Sequence, residues 1–227
     1  MGVHDGHRGR MKTRFLEHGL DNFDDINVLE LLLFYALPRC DTNVVAHRLL
    51  DRFGSLPGVL EAPAEELARV EGVGDSAAAL LRLIPQVSRR YMMEREETAA
   101  HALSDPASAG CFFVPRFLYE TDEVVYLACL DSVHRVLSCT EVGRGVVNSA
   151  EVSVRKIVEL ALRQNAAAVI LAHNHVNGLA IPSKEDELTT RQLASALNLV
   201  GIGLIDHIIV AGGEFVSMAD SGMLSAR

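Results

Sequence analysis

Apolar positions follow two rhythms along this chain. In the first hundred residues they recur at helical spacing. Ile26, Val28, Leu29, Leu31, Leu32 and Leu33 predict a strongly apolar helix that ends before Pro38. Asp41 or Thr42 caps a second helix through about Arg52, and Gly54 and Gly58 bound a short connector. Pro63 or Ala64 starts another helix, which stops at Gly72-Val-Gly74. Asp75 then caps a long helix to about Met93. The stretch Glu94-Arg-Glu-Glu-Thr-Ala-Ala-His101 is charged and then small, as a linker is. The expected division is a small all-α domain over residues 1–95, a linker over 96–104 and a second domain over 105–227.

In the second domain, apolar runs alternate with amphipathic stretches. Val124-Val-Tyr-Leu-Ala-Cys-Leu130 predicts a buried strand, and Arg135 to Val142 a second one that Gly143-Arg-Gly145 breaks. Val152 to Leu162 has helical spacing, with Val152, Ile157, Leu160 and Ala161 on one face. Ala166 to Ala172 reads as a central strand and Lys184 to Leu199 as a helix. Ile202 to Val210 is a further strand, followed by a Gly212-Gly213 hairpin turn and Glu214 to Ser217. This order implies an α/β domain, a mixed sheet flanked by helices.

The chemistry concentrates just after the central strand, in Leu171-Ala-His-Asn-His-Val-Asn-Gly-Leu-Ala-Ile-Pro-Ser-Lys-Glu-Asp186. A strand alternates its side chains, so His173 and His175 leave it on the same face. Gly178 and Pro182 mark a loop, and Ser183 opens the next helix with Asp186 in its first turn. Two imidazoles and a carboxylate supply three zinc ligands and leave the fourth position open. The plainer reading is two loop histidines beside a capping box, because Ser183-x-x-Asp186 is also a helix start signal. His207, among aliphatic residues on the Ile202–Val210 strand, reads as a satisfied buried histidine with Asp206 or a backbone group as partner. Support of a ligand histidine is its alternative role.

The joint spacing His-x-His-x(7)-Ser-x(2)-Asp resembles the JAMM (MPN-type) metalloprotease signature. Asn165 to His175, Pro182-Ser-x-x-Asp186, Leu204-Ile-Asp-His-Ile-Ile-Val210 and Leu29-Glu-Leu-Leu-Leu-Phe-Tyr-Ala36 are similar to the RadC family. The resemblance implies a JAMM (cytidine-deaminase-like) sheet domain that holds Zn2+ through His173, His175 and Asp186. It implies Glu123, at the head of an early strand, as the base, with Asp122 and Glu120 close by. It implies that Ser183 donates its hydroxyl to a developing oxyanion. The implied reaction is cleavage of a peptide or isopeptide bond in a peptide or protein substrate. The family reads His-Asn-His-Pro-Ser-Gly where this chain has Val176-Asn177 before Gly178, which frees a φ angle that Pro would fix. A metal-holding module without catalysis is therefore a rival reading. A histidine-triad hydrolase fits poorly, because its third histidine falls on Asn177.

Composition changes the picture in three places. Residues 1–100 carry 12 basic against 16 acidic side chains, and residues 101–227 carry 9 against 14, so neither half has the basic footprint of a dedicated nucleic-acid binder. Within the first half, Ala68 to Ala79 nonetheless resembles a helix-hairpin-helix motif. Gly72 and Gly74 either cradle a phosphate, implying weak non-specific DNA binding by an accessory protein, or shape a packed helical turn. The cluster Arg8, Arg10, Lys12 and Arg14 is likewise a phosphate contact or a solvated helix face. Second, Cys40, Cys111, Cys129 and Cys139 are scattered, as reduced thiols of a cytoplasmic protein are. Third, there is no apolar leader after Met1 and no 18-residue apolar run, so neither a signal peptide nor a membrane partner is expected.

Overall fold

A computed structural model describes residues 3–38, 40–98, 102–145, 153–176 and 178–224. Two compact units emerge, Met1–Ser88 and Arg89–Arg227. In the first, α1 (Val3–His18), α2 (Asp25–Ala36), α3 (Thr42–Phe53), α4 (Leu56–Glu61) and α5 (Ala64–Leu67) precede α6 (Asp75–Thr98), whose residues from Arg89 on belong to the second. Asp24 and Asp41 cap α2 and α3 by accepting from the amides of Asn27 and Asn43. Leu29, Leu33, Val45, Leu49, Val59, Leu67 and Leu81 form the core of this unit.

Two expectations change here. Gly58 lies inside α4, where the Ser55 hydroxyl accepts from its amide. A Cβ at Gly58 would fall 2.4 Å from the Phe53 carbonyl oxygen, so the apparent connector is a helix that needs glycine. The linker reading of 96–104 also differs from the structure. The helix α6 continues to Thr98, Ala102 bridges to Arg135, and Leu103 is buried. Residues 99–101 of that segment lie outside the described ones.

The second unit contains α7 (Pro106–Phe117), β1 (Val124–Leu130), β2 (Val136–Arg144), α8 (Val154–Arg163), β3 (Ala168–Asn174), α9 (Lys184–Asn198), β4 (Gly203–Ala211) and β5 (Glu214–Ser217). Its sheet has the order β2-β1-β3-β4-β5. Only β3 and β4 pair in parallel, with α9 as their crossover. Side chains alternate across the sheet. Val124, Ala128, Ile170, Ala172, Ile208 and Val210 share one core with Phe112 and Phe113 of α7. Val125, Leu127, Val169 and Leu171 share the other with α8 and α9. This is the expected mixed sheet flanked by helices, behind an all-α region.

The hydrophobic rhythm gave no reading of α7. Its start is a capping box, with Asp105 and Ser108 bonded reciprocally around Pro106. Gly110 lets it approach β5, since a Cβ there would overlap the Phe215 ring at 2.2 Å. The second strand also runs on through Gly143, the expected break.

Candidate metal centre

Parallel strands open a crevice at their carboxyl ends, and β3 delivers its last residues there. His173 lies on the sheet face packed by α8 and α9, beside Val125 and Ile209 in the neighbouring strands. His175 follows two residues later on the same side. The N-terminus of α9 brings Asp186 to both. His173 Nε2 lies 3.0 Å from His175 Nε2 and 3.2 Å from Asp186 Oδ1. His175 Nε2 lies 3.5 Å from Asp186 Oδ2. A ligand atom of each residue lies within 4.8 Å of the others.

Hydrogen bonds fix what these atoms offer. His175 Nδ1–H donates to the Leu179 carbonyl at 2.9 Å, which leaves the Nε2 lone pair facing the cluster. Burial pushes His173 down to about 4, so it is neutral near pH 7. His175 is raised, chiefly by its hydrogen bond with Asp186. Burial pushes Asp186 up, but the His175 bond, the electrostatic pull of the His173 ring and the Ser183 bonds outweigh it and hold the carboxyl well below its ordinary range. The His175 Nε2 lone pair and the Asp186 carboxylate thus meet at His173 Nε2, and a proton or a cation held between them resolves the repulsion. The spacing suits zinc. Bonds of about 2.0–2.1 Å at tetrahedral angles put ligand atoms about 3.3 Å apart, against the 3.0, 3.2 and 3.5 Å found here.

Ser183 and Asp186 do form a capping box. The Ser183 hydroxyl oxygen accepts from the Asp186 amide at 3.1 Å, and Asp186 Oδ2 accepts from the Ser183 amide at 2.8 Å. The same hydroxyl donates its only proton to Asp186 Oδ2 at 2.7 Å. In this arrangement the hydroxyl is engaged with Asp186, and its role toward an oxyanion stays a proposal. Here it orients a carboxylate.

Glu123 precedes β1. The β1–β3 ladder pairs Val125 with His173, and extending that register by two residues sets Glu123 opposite His175. The Glu123 carboxyl is raised, by burial first and then by the charge of Asp186, with His175 opposing. Glu120 is engaged elsewhere, in ion pairs with Arg89 at 2.9 Å and Arg144 at 2.7 Å. The backbone here is held by Asn174, the middle residue of His-x-His. Its side-chain amide donates to Asp122 O at 3.0 Å, and its oxygen accepts from Val124 N at 2.7 Å. Sequence reasoning missed this residue, and its only signal is a buried amide at the end of an apolar strand. Asn177 lies outside the described residues.

His207 is fully buried, and its partners are not those expected. Asp206 instead accepts from the His207 amide, the Ser217 hydroxyl and the Ala219 amide. The His207 ring bonds His173 Nδ1 at 2.9 Å and Thr190 Oγ1 at 2.6 Å.

The first unit uses its motif residues differently. Gly72 has φ +93°, and a Cβ on it would lie 2.8 Å from Val45 Cγ2, so packing alone demands glycine. Gly74 has ordinary φ and open space around it. Arg48, the cation beside this turn, is held by the Glu71 carbonyl and carboxylate. In the basic cluster, Arg8 donates to the carbonyls of Leu37, Pro38 and Cys40, closing the end of α2. Lys12 and Arg14 lie over the Tyr35 and Phe23 rings. Arg10 and Arg14 are exposed on α1, as on a solvated face, while Arg8, Lys12 and Arg14 also make these contacts. Among the described residues, no helix is long and apolar enough to cross a membrane.

Comparison with known proteins places the site in a recognised domain. A family model described as RadC-like JAB domain matches residues 103–223. A UPF0758 protein of Xanthomonas oryzae pv. oryzae is 35% identical over 225 residues, covering 99% of this chain and 100% of its own. UPF0758 proteins of Idiomarina loihiensis and Xylella fastidiosa are 33% and 35% identical over 215 residues, each covering 95% of this chain and 96% of its own.

Proposed function

Since the chain belongs to the RadC family, with a RadC-like JAB domain over residues 103–223, we propose that it is a zinc-dependent hydrolase of peptide or isopeptide bonds. The observation that carries this reading is the convergence of His173, His175 and Asp186, with Glu123 near enough to feel the charges of His175 and Asp186. His173 and His175 present Nε2 lone pairs, and Asp186 balances charge. Two nitrogens and one oxygen with a position left over are the donors of a catalytic zinc. Zinc bound there supplies Lewis acidity, polarising an amide carbonyl and acidifying water.

The chain does the rest. Glu123 accepts a proton from the attacking water at its carboxylate and delivers it to the departing amide nitrogen. Burial raises its pKa above the ordinary carboxylate value, the direction a group that both takes and returns a proton needs. Ser183 keeps Asp186 oriented, and Asn174 keeps the strand end that carries Glu123 in register. A polypeptide substrate is supported by the rim. Leu179, whose carbonyl takes the His175 proton, is 71% exposed, and Ile181 is 59% exposed, so apolar side chains border the site.

The test is zinc-loaded wild type and Glu123→Gln, each incubated with a complex peptide library and with isopeptide-linked substrates, cut sites being read by mass spectrometry. Cuts made by wild type and missing with Glu123→Gln sustain the reading. Zinc bound with no cut in any library would leave a metal-holding module.

A further inference from the structure

We infer that His207 and Thr190 form a proton-ordered relay that fixes the tautomer of His173 and so presents its Nε2 lone pair to a metal. The inference rests on the reading of His173, His175 and Asp186 as a metal site. It assigns His207 and Thr190 as positioning residues.

The order of the protons follows from one hydroxyl. Thr190 Oγ1 lies 2.6 Å from the Asp186 carbonyl oxygen and 2.6 Å from His207 Nδ1. A hydroxyl has one proton, and a carbonyl cannot donate. Two oxygens at 2.6 Å with no proton between them repel, so the proton belongs on the bond to Asp186 O. Met218 Sδ, at 3.6 Å, is the weaker acceptor. Thr190 Oγ1 must then accept from His207, which places a proton on His207 Nδ1. A neutral imidazole carries one proton, so His207 Nε2 is an acceptor. At 2.9 Å from it, His173 Nδ1 must donate. That leaves His173 Nε2 unprotonated, pointing at His175 and Asp186.

The opposite order fails at both ends. With a proton on His207 Nε2, His173 would carry its proton on Nε2, where a ligand lone pair is needed. Thr190 would then have to donate to His207 and leave its oxygen against the Asp186 carbonyl. Burial makes the choice firm, because His207 and Thr190 are each 0% exposed and out of reach of bulk solvent. The relay also joins the two ligand-bearing elements. It starts on the Asp186 carbonyl in α9, passes through β4 and ends on His173 in β3. The parallel pairing of Leu171 with His207 sets His207 on the same face as His173.

The experiment uses the full chain labelled with 15N-histidine. Metal is removed with a chelator, and imidazole tautomers are read by long-range 1H–15N correlation. Zinc affinity is measured by competition with a chromophoric chelator, and melting of the metal-free protein serves as control. Wild type is expected to show the Nδ1–H tautomer at both His173 and His207. Thr190→Val keeps shape but removes the hydroxyl, and should mix the tautomers and weaken zinc by about 10–100-fold. Thr190→Ser should restore both. His207→Gln should hold zinc better than His207→Leu, because its amide both accepts and donates.

A merely structural Thr190 would lower the melting temperature and leave tautomer and zinc affinity unmoved, which would overturn the relay. So would an Nε2–H tautomer at His173 in wild type. If wild type bound no zinc at all, the metal reading would fall. The tautomers of the metal-free protein would still decide the relay.

Discussion

Glu30 in the helical unit and Asp186 in the sheet unit are both buried carboxylates, 3% and 2% exposed. Glu30 is met by donors: His7 Nε2–H and Asn43 Nδ2–H reach its two oxygens at 3.1 Å each. The acceptors are matched, and nothing further is needed between α1, α2 and α3. Asp186 faces two imidazole nitrogens whose other ring atoms are already committed, one to Leu179 O and one to His207. The Ser183 amide and hydroxyl donate to Asp186 Oδ2, but toward the imidazoles lone pairs meet. The difference teaches where to look for chemistry. A buried polar cluster that balances is architecture, whereas one with acceptors in excess is a place for a cation.

The strongest way to break this comparison is to empty the second cluster. Asp186→Ala or His173→Ala should reduce zinc from about one ion per chain to near none, as read by elemental analysis after native purification. If either variant keeps full occupancy, the excess-acceptor argument fails. The next largest effect is on rate. Glu123→Gln should keep zinc and fold, and lose on the order of 10²–10⁴-fold in turnover. Asp122→Asn should change little, because the structure uses the Asp122 backbone carbonyl, through Asn174.

These two predictions differ in how readable their residues are from sequence. The ligand triad is local: strand alternation sets two histidines on one face, and a helix start sets Asp186 in the first turn. Glu123 is reached through the family resemblance and its place at the head of an early strand; the face it takes depends on the register of β1 on β3, which a single sequence does not contain. The relay is less legible still. Thr190 and His207 are 17 positions apart, and they meet only because α9 crosses over to make β4 parallel to β3. Among the elements, most strands and helices followed from periodicity. The helix α7 went unread although Asp105-Pro106 and Ser108 announce it, because its neighbours resembled a linker. The basic cluster on α1 was legible as charge, but its use in closing α2 depends on Arg8 reaching carbonyls about 30 positions away.

The balanced cluster makes the opposite prediction. Glu30→Met removes the acceptor and strands the Asn43 and His7 donors. It should destabilise the chain by about 1–3 kcal/mol, as a lost buried partner does, with zinc content unchanged. Denaturant titration and metal analysis on the same sample read both. Loss of zinc with a normal unfolding midpoint would contradict the division between architecture and chemistry.

The smallest effects sharpen the comparison at the glycine turn. Gly72 is required by its φ of +93° and by Val45, so Gly72→Ala should cost about 1 kcal/mol or more in stability. Gly74 meets no neighbour, so Gly74→Ala should be close to neutral if packing is the turn's whole purpose. A phosphate cradle would make Gly74 the sensitive position, since a side chain there would obstruct the amides at the start of α6. Exposed Glu71 and Asp75 flank that approach, and Arg48 is already paired with Glu71. Like charges beside a phosphate repel, and with Arg48 held by Glu71 the exposed Arg69 is left against both acids. The expected result of titrating duplex DNA against the full chain is therefore no binding at physiological salt. Binding at low salt that falls steeply as salt rises, and that Gly74→Glu abolishes while stability is kept, would return this turn to the class of places with chemistry.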